Sequence, residues 1–142
     1  MINSFDNYLK LGKAKKQIQN PEESKALIEK AKYRLEYSKD KIITDKTSQF
    51  ILEDAYEGIR EAAQSLMALK GYKPYSHEAT ISFIDSFYKS YFTQEEIKTF
   101  DRFRQLRNNS VYSAAPVTKE DAEKCILFAG KFIVKVEKLL KP

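Results

Sequence analysis

The chain has no tryptophan, one cysteine, one histidine, and only four glycines and four prolines in 142 residues. So few breakers leave few sharp turns, which excludes a sandwich or barrel of many short strands and favours helices. A lone Cys125 cannot close an internal disulfide and points to a reducing, cytoplasmic setting. One His and one Cys cannot assemble an ordinary transition-metal site, so neither a metal nor another cofactor is expected. No stretch approaches the length of an uncharged membrane span. Residues 1–6 lack the basic region and apolar run of a secretory signal, so neither a leader nor a membrane association is expected. Also missing are a glycine-rich phosphate loop, a cysteine pair and a Ser/His/Asp set at a suggestive spacing.

What is present suits a soluble globular chain, with 32% charged and 42% hydrophobic residues. The length fits one domain over residues 1–142. The net charge of +5 comes from the two ends, while the centre is slightly acidic. An excess of this size tolerates nucleic acid or an acidic partner without demanding either, and equally describes a Lys-rich solvated surface.

Periodicity predicts helices throughout. A short first helix is expected over residues 2–18, with Leu9, Leu11 and Ile18 as sparse apolar contacts. Asn20-Pro21-Glu22-Glu23 is a start signal, combining a capping side chain, proline in the first turn and acids at the positive dipole end. The helix it opens carries Leu27, Ile28, Ala31 and Leu35 inward. A third helix beginning near Thr44 or Asp45 runs through Ile51, Ala55, Ile59, Ala62, Leu66 and Leu69 to a Gly71 stop. Its regularity makes it the expected centre of the bundle. Ser76 caps a fourth helix with Ile81, Ile84, Phe87 and Tyr91, and Thr93 with Glu96 forms a capping box for the fifth. Ala114-Ala115-Pro116 breaks the chain. Thr118 then caps a last helix whose Cys125, Ile126, Ala129, Phe132, Ile133, Val136, Leu139 and Leu140 make a strong core stripe. Short connections predict an all-α, up-and-down antiparallel bundle of four to six helices.

The costliest pattern lies in the fifth helix. Ile97, Phe100, Phe103, Arg107 and Val111 recur at steps of three and four, which puts Arg107 in an apolar stripe where a cation needs a partner, a ligand or an interface. Asn108 and Tyr112, four apart, stack beside it on an adjacent strip. Two readings stay open: Arg107 lines a binding cleft, or it pairs with Glu57 or Glu61 of the third helix and serves folding. Tyr56 and Arg60, beside Glu57 and Glu61, either face the Arg107 strip or form a surface pair. Arg102 and Arg104 would add a phosphate-binding rim. Acid pairs Glu53/Glu57 and Glu57/Glu61 lack the matching Glu and His of a di-iron bundle and read as a solvated or salt-bridging face. His77, after Ser76, is either a proton shuttle near a cleft or a ring packed at the helix start.

Three stretches carry a family resemblance. Ala55 to Ala63, continuing through Leu66-Met67-Ala68-Leu69-Lys70-Gly71-Tyr72, is similar to the central helix and Lys-Gly-Tyr turn of a HEPN (higher eukaryotes and prokaryotes nucleotide-binding) domain. Tyr75-Ser76-His77-Glu78-Ala79 resembles the family's His-containing start of the next helix. Ile97 to Tyr112 contains Leu106-Arg107-Asn108 and then an aromatic, ahead of a final helix ending Val136-Glu137-Lys138-Leu139-Leu140. The resemblance covers about residues 20–140.

The resemblance implies a homodimer in which two Arg-polar-spacer-His motifs meet across a cleft and cut RNA without metal, by attack of its own 2′-hydroxyl. Carried over, the site is Arg107, Asn108 and Tyr112, with Tyr56, Arg60, Glu61 and His77 in support. Tyr112 stands where His is expected. A phenol, with a reference pKa of about 10, is a poor general base beside an imidazole at about 6.5, so ribonuclease activity is expected to be weak or lost. RNA or nucleotide binding, a toxin–antitoxin or defence setting, and a small nucleotidyltransferase partner are likewise implied by the resemblance. A different reading is a non-catalytic helical module that docks a partner protein through Tyr72, Tyr75, Phe87, Tyr88, Tyr91 and Phe92.

Overall fold

The computed structural model describes residues 2–141. Its elements in order are α1 (Phe5–Lys10), β1 (Ala14–Lys16), α2 (Pro21–Lys39), α3 (Ser48–Lys70), β2 (Tyr72–Pro74), α4 (His77–Phe87), α5 (Gln94–Ser113) and α6 (Lys119–Leu140). The architecture is all-α, and no helix among the described residues is long and apolar enough to cross a membrane.

Local chemistry explains most boundaries. Asn20 accepts from the Glu23 N–H, Ser76 from Ala79, and Thr93 and Thr118 each close a full capping box with Glu96 and Asp121. Each such cap satisfies backbone donors that a helix leaves open in its first turn. The start of α3 is staged. Thr44 and Thr47 exchange side-chain-to-backbone bonds, and the Ser48 N–H reaches the Thr44 carbonyl at 2.9 Å, so a capped turn at Thr44 feeds the helix proper at Ser48.

The first segment departs from expectation. No helix runs from 2 to 18. α1 ends after six residues, Gly12 takes a left-handed φ of 72°, and β1 then pairs antiparallel with β2. Leu11 and Ile18 point outward at 64% and 90% exposure, and the buried contacts are Phe5 and Tyr8 instead. The strand partner lies in a distant part of the chain, so Ala14-Lys15-Lys16 carries no local strand signal.

α3 is the central element. Ile51, Leu52, Ala55, Tyr56, Ile59, Ala62, Ala63, Leu66 and Met67 are all buried, because α2, α4, α5 and α6 surround it. Gly58 faces both α2 and α6: a methyl there would make ordinary contacts of 3.6 Å with the Ala31 carbonyl and with Ile133. α2 lies antiparallel to α3, since Asn20 meets Ala68 while Arg34 meets Asp54. α5 is antiparallel to α3, with Ser110 at Glu53 and Arg107 at Glu57. α6 is antiparallel to α5, with Lys135 at Glu96 and Phe128 against Phe103. α4 runs in the same sense as α3, because β2 first carries the chain back along it. His77 therefore begins α4 beside Tyr56, while Lys70 lies over the Tyr88 ring.

Gly71 is required at the end of α3. Its φ is 89°, and an added Cβ would stand 2.7 Å from the Gln17 carbonyl oxygen, because the chain leaving β1 crosses directly over it. The same contact is tied by the Gln17 N–H to the Gly71 carbonyl at 2.8 Å.

Three apolar positions between Phe87 and Val111 that the periodicity places inward are exposed. Tyr91 lies beyond the end of α4 and is 56% exposed, and Phe87 is 41% exposed. In α5 the buried line runs Ile97, Phe100, Phe103 and then Ser110, leaving Val111 43% exposed. Repeated three-residue steps fall short of a full turn, so the buried line drifts round the helix and ends on Ser110.

Candidate functional site

The antiparallel register of α3 and α5, with α4 beginning alongside, gathers one polar cluster. α3 contributes Glu53, Tyr56, Glu57 and Arg60 along one strip. α4 brings His77 and Glu78 at its first turn. α5 brings Asp101, Arg104, Arg107, Asn108, Ser110 and Tyr112.

The cations differ in how firmly they are held. Arg60 donates from Nε and Nη2 to Glu57 Oε2 at 3.1 and 2.9 Å, and from Nη1 to Gln64 at 2.7 Å. Arg104 donates to Asp101 at 2.7 Å and lies 3.8 Å from Glu78. Arg107 is held loosely. Its approach to Glu57 is 3.8 Å, beyond hydrogen-bond length, and its one hydrogen bond among the described residues goes to Asn108 Oδ1 at 3.1 Å. The Tyr112 ring lies 5.9 Å from its guanidinium carbon, within cation–π range. The predicted Arg107, Asn108 and Tyr112 group is thus one contiguous patch, with Tyr112 75% exposed at its rim.

The remaining predicted residues divide. Tyr56, Arg60 and His77 join the patch. Arg104 borders it. Arg102 does not: it is exposed, and five residues before Arg107 it stands on a different face of α5. Glu61 does not either. It is 2% exposed and turned to α2, where Arg34 donates to both its oxygens at 2.8 and 3.2 Å and Lys30 lies at 3.5 Å. Of the two acids read as candidate partners for Arg107, Glu57 is the one it faces. Sequence reading missed that Ser110 bonds Glu53 at 3.0 Å, and that Asp101 and Glu78 flank Arg104. Asp101 and Arg104 were open to it, being three apart on one helix. The cross-helix pairs have no local signature.

Burial and charge set the protonation of the patch. Burial pushes the Glu57 carboxyl up, but hydrogen bonds from Arg60 and the charges of Arg60 and Arg107 outweigh it and hold the acid ionised below its ordinary range. Burial lowers the His77 imidazole, and the charges of Arg60, Arg107 and Arg104 lower it further against the pull of Glu57. Burial raises the Tyr56 phenol, which stays a neutral O–H. That O–H lies 3.0 Å from His77 Nδ1, with the two rings stacked at 5.6 Å.

Chemically, the patch offers one guanidinium without a short ion pair, an amide and a phenol beside it, and a neutral imidazole. Such a set suits a phosphate oxygen. An apolar groove lies elsewhere, between α2 and α6, where Leu35, Ile126, Leu127 and Val134 are rimmed by Lys39 and Lys131. Among the described residues no cluster of three metal-ligating side chains forms.

A family model described as HEPN domain matches residues 24–139, which span every helix that builds the patch. No curated protein matches the chain.

Proposed function

We propose, from the premise that this chain belongs to the HEPN domain family, that the Arg107, Asn108 and Tyr112 patch binds the phosphodiester backbone of RNA. The observation that carries this reading is the loose seating of Arg107. A guanidinium 3.8 Å from its nearest acid keeps donors free for a phosphate, which takes two of them in a planar fork. Arg60 and Arg104, neutralised on short bonds to Glu57 and Asp101, shape the site around it.

In this reading two copies pair so that their patches face one cleft. Two Arg107 side chains then repel each other until a polyanion lies between them. Tyr112 in place of an imidazole leaves RNA binding as the main activity, with metal-free cleavage weak or lost. A toxin–antitoxin or defence role and a small nucleotidyltransferase partner belong to the same reading. The test is incubation of single-stranded RNA with the native protein and Arg107→Ala in the absence of metal. Binding by the native protein, weakened about tenfold in the variant, with little or no cleavage, is the expected result. Absence of binding at low salt contradicts it.

A second reading rests on the α2/α6 groove, whose exposed Leu127 and Val134 sit beside lysines. An acidic helix would fit there, and the chain would act as a protein-docking module. Of the aromatics first read as its docking face, Tyr88 and Phe92 are buried and only Tyr75, Phe87 and Tyr91 are well exposed.

A further inference from the structure

The Tyr56 hydroxyl has a single hydrogen bond among the described residues, to His77 Nδ1 at 3.0 Å. The Tyr56 side chain is fully buried. A buried phenol has one proton to place, and leaving it without an acceptor is costly. Nδ1 is the acceptor at hand. It must therefore be the unprotonated nitrogen, and the neutral ring carries its proton on Nε2. Among the described residues Nε2 has no partner, yet no buried side-chain nitrogen or oxygen lacks one. Nε2 thus reaches solvent. His77 is followed by Glu78, which lies 3.8 Å from Arg104, and its partner Tyr56 is followed by Glu57, which Arg60 and Arg107 face.

We infer that His77 Nε2–H is a fixed hydrogen-bond donor to the RNA phosphate oxygen that Arg107 binds, and that Tyr56 is the residue positioning it. This rests on the reading of the patch as an RNA site. When the ring gains a proton it gains it on Nδ1, and Nε2 remains an N–H. The imidazole therefore donates in both protonation states, and its Nε2 lone pair is not presented to the 2′-hydroxyl as a base. The histidine absent from position 112 is replaced in binding, not in proton abstraction.

Nitrogen NMR of the free protein reads the tautomer directly, and the expected resonances are a protonated Nε2 and a bare Nδ1. Single-stranded RNA is then titrated into the native protein, His77→Gln, His77→Phe, Tyr56→Phe and Arg107→Ala, each checked for folding by thermal melting. A glutamine amide places an N–H near Nε2, so His77→Gln is expected to bind within about twofold of native, while His77→Phe loses about tenfold. Tyr56→Phe is expected to mix the tautomers and weaken binding by less than His77→Phe does. A proton on Nδ1 in the free protein overturns the assignment without reference to RNA. Binding that needs Arg107 but ignores His77→Phe overturns it and leaves the RNA reading standing. Cleavage lost in His77→Gln with binding intact makes His77 a base and overturns it. No RNA binding by the native protein removes both.

Discussion

Glu61 and Arg34 show what one buried charge demands. The carboxylate is 2% exposed and its main compensation is the Arg34 fork, with Lys30 more distant. Arg34→Ala would strand the charge and is expected to cost about 3 kcal/mol, at the low end for a broken buried pair because Lys30 remains. Glu61→Gln keeps an acceptor for Arg34 and should cost clearly less. Urea denaturation of both variants reads the difference, and equal losses would contradict the account. His77 has its own signature at this scale. Its folded pKa lies below the ordinary 6.5, so the unfolded chain takes up the proton first as pH falls. The stability contributed by neutral His77 is complete above about 6.5 and is lost as pH drops through the lowered folded value. Glu57, Glu96 and Glu137, all held below their ordinary range, contribute above about 4.5 and fail at lower pH. Melting the native protein and His77→Gln across this range should show the upper limb flattened in the variant and the lower limb unchanged. An upper limb that persists in His77→Gln would assign it elsewhere.

At the scale of elements, the junction of α3 with β2 is the least tolerant. Gly71→Ala must hold a left-handed φ and push its methyl against the Gln17 carbonyl at 2.7 Å, with an expected loss of about 1–3 kcal/mol. Gly12→Ala, where nothing lies within 4 Å, carries the φ penalty alone. Comparable losses in the two variants, read by chemical denaturation, would contradict the clash. The same junction marks where sequence reading stops. Asn20, Ser76, Thr93 and Thr118 were legible as caps because a cap and the backbone it satisfies lie within four residues. Gly71 was legible as a stop. The β1–β2 ribbon was not, since its two strands sit on either side of α2 and α3 and neither has a periodicity of its own. The site divides in the same way. Arg107, Asn108 and Tyr112 share one helix and could be grouped from spacing alone. The Tyr56 bond to His77 and the Ser110 bond to Glu53 depend on the register between helices, which only packing fixes. Arg102 lies near Arg107 in sequence, but five residues along a helix is well over a quarter-turn away.

For the whole molecule, the backward run of β2 is what makes the patch. Without it α4 would start at the far end of α3, and His77 would not meet Tyr56. The result is a cluster of three arginines and their acids, and only Arg107 among the three lacks a short ion pair. The central claim is that this arginine takes the RNA phosphate. Fluorescence anisotropy of a labelled single-stranded RNA over a salt series, with the native protein, Arg107→Ala and Arg102→Ala, tests it most directly. The account predicts native binding that weakens with salt. It predicts a loss of about tenfold in Arg107→Ala, with the log–log salt slope reduced by about 0.7 for each phosphate contact removed. Arg102→Ala should stay near native. Folded Arg107→Ala that binds like the native protein, or no better than Arg102→Ala at separating the two sites, would contradict it.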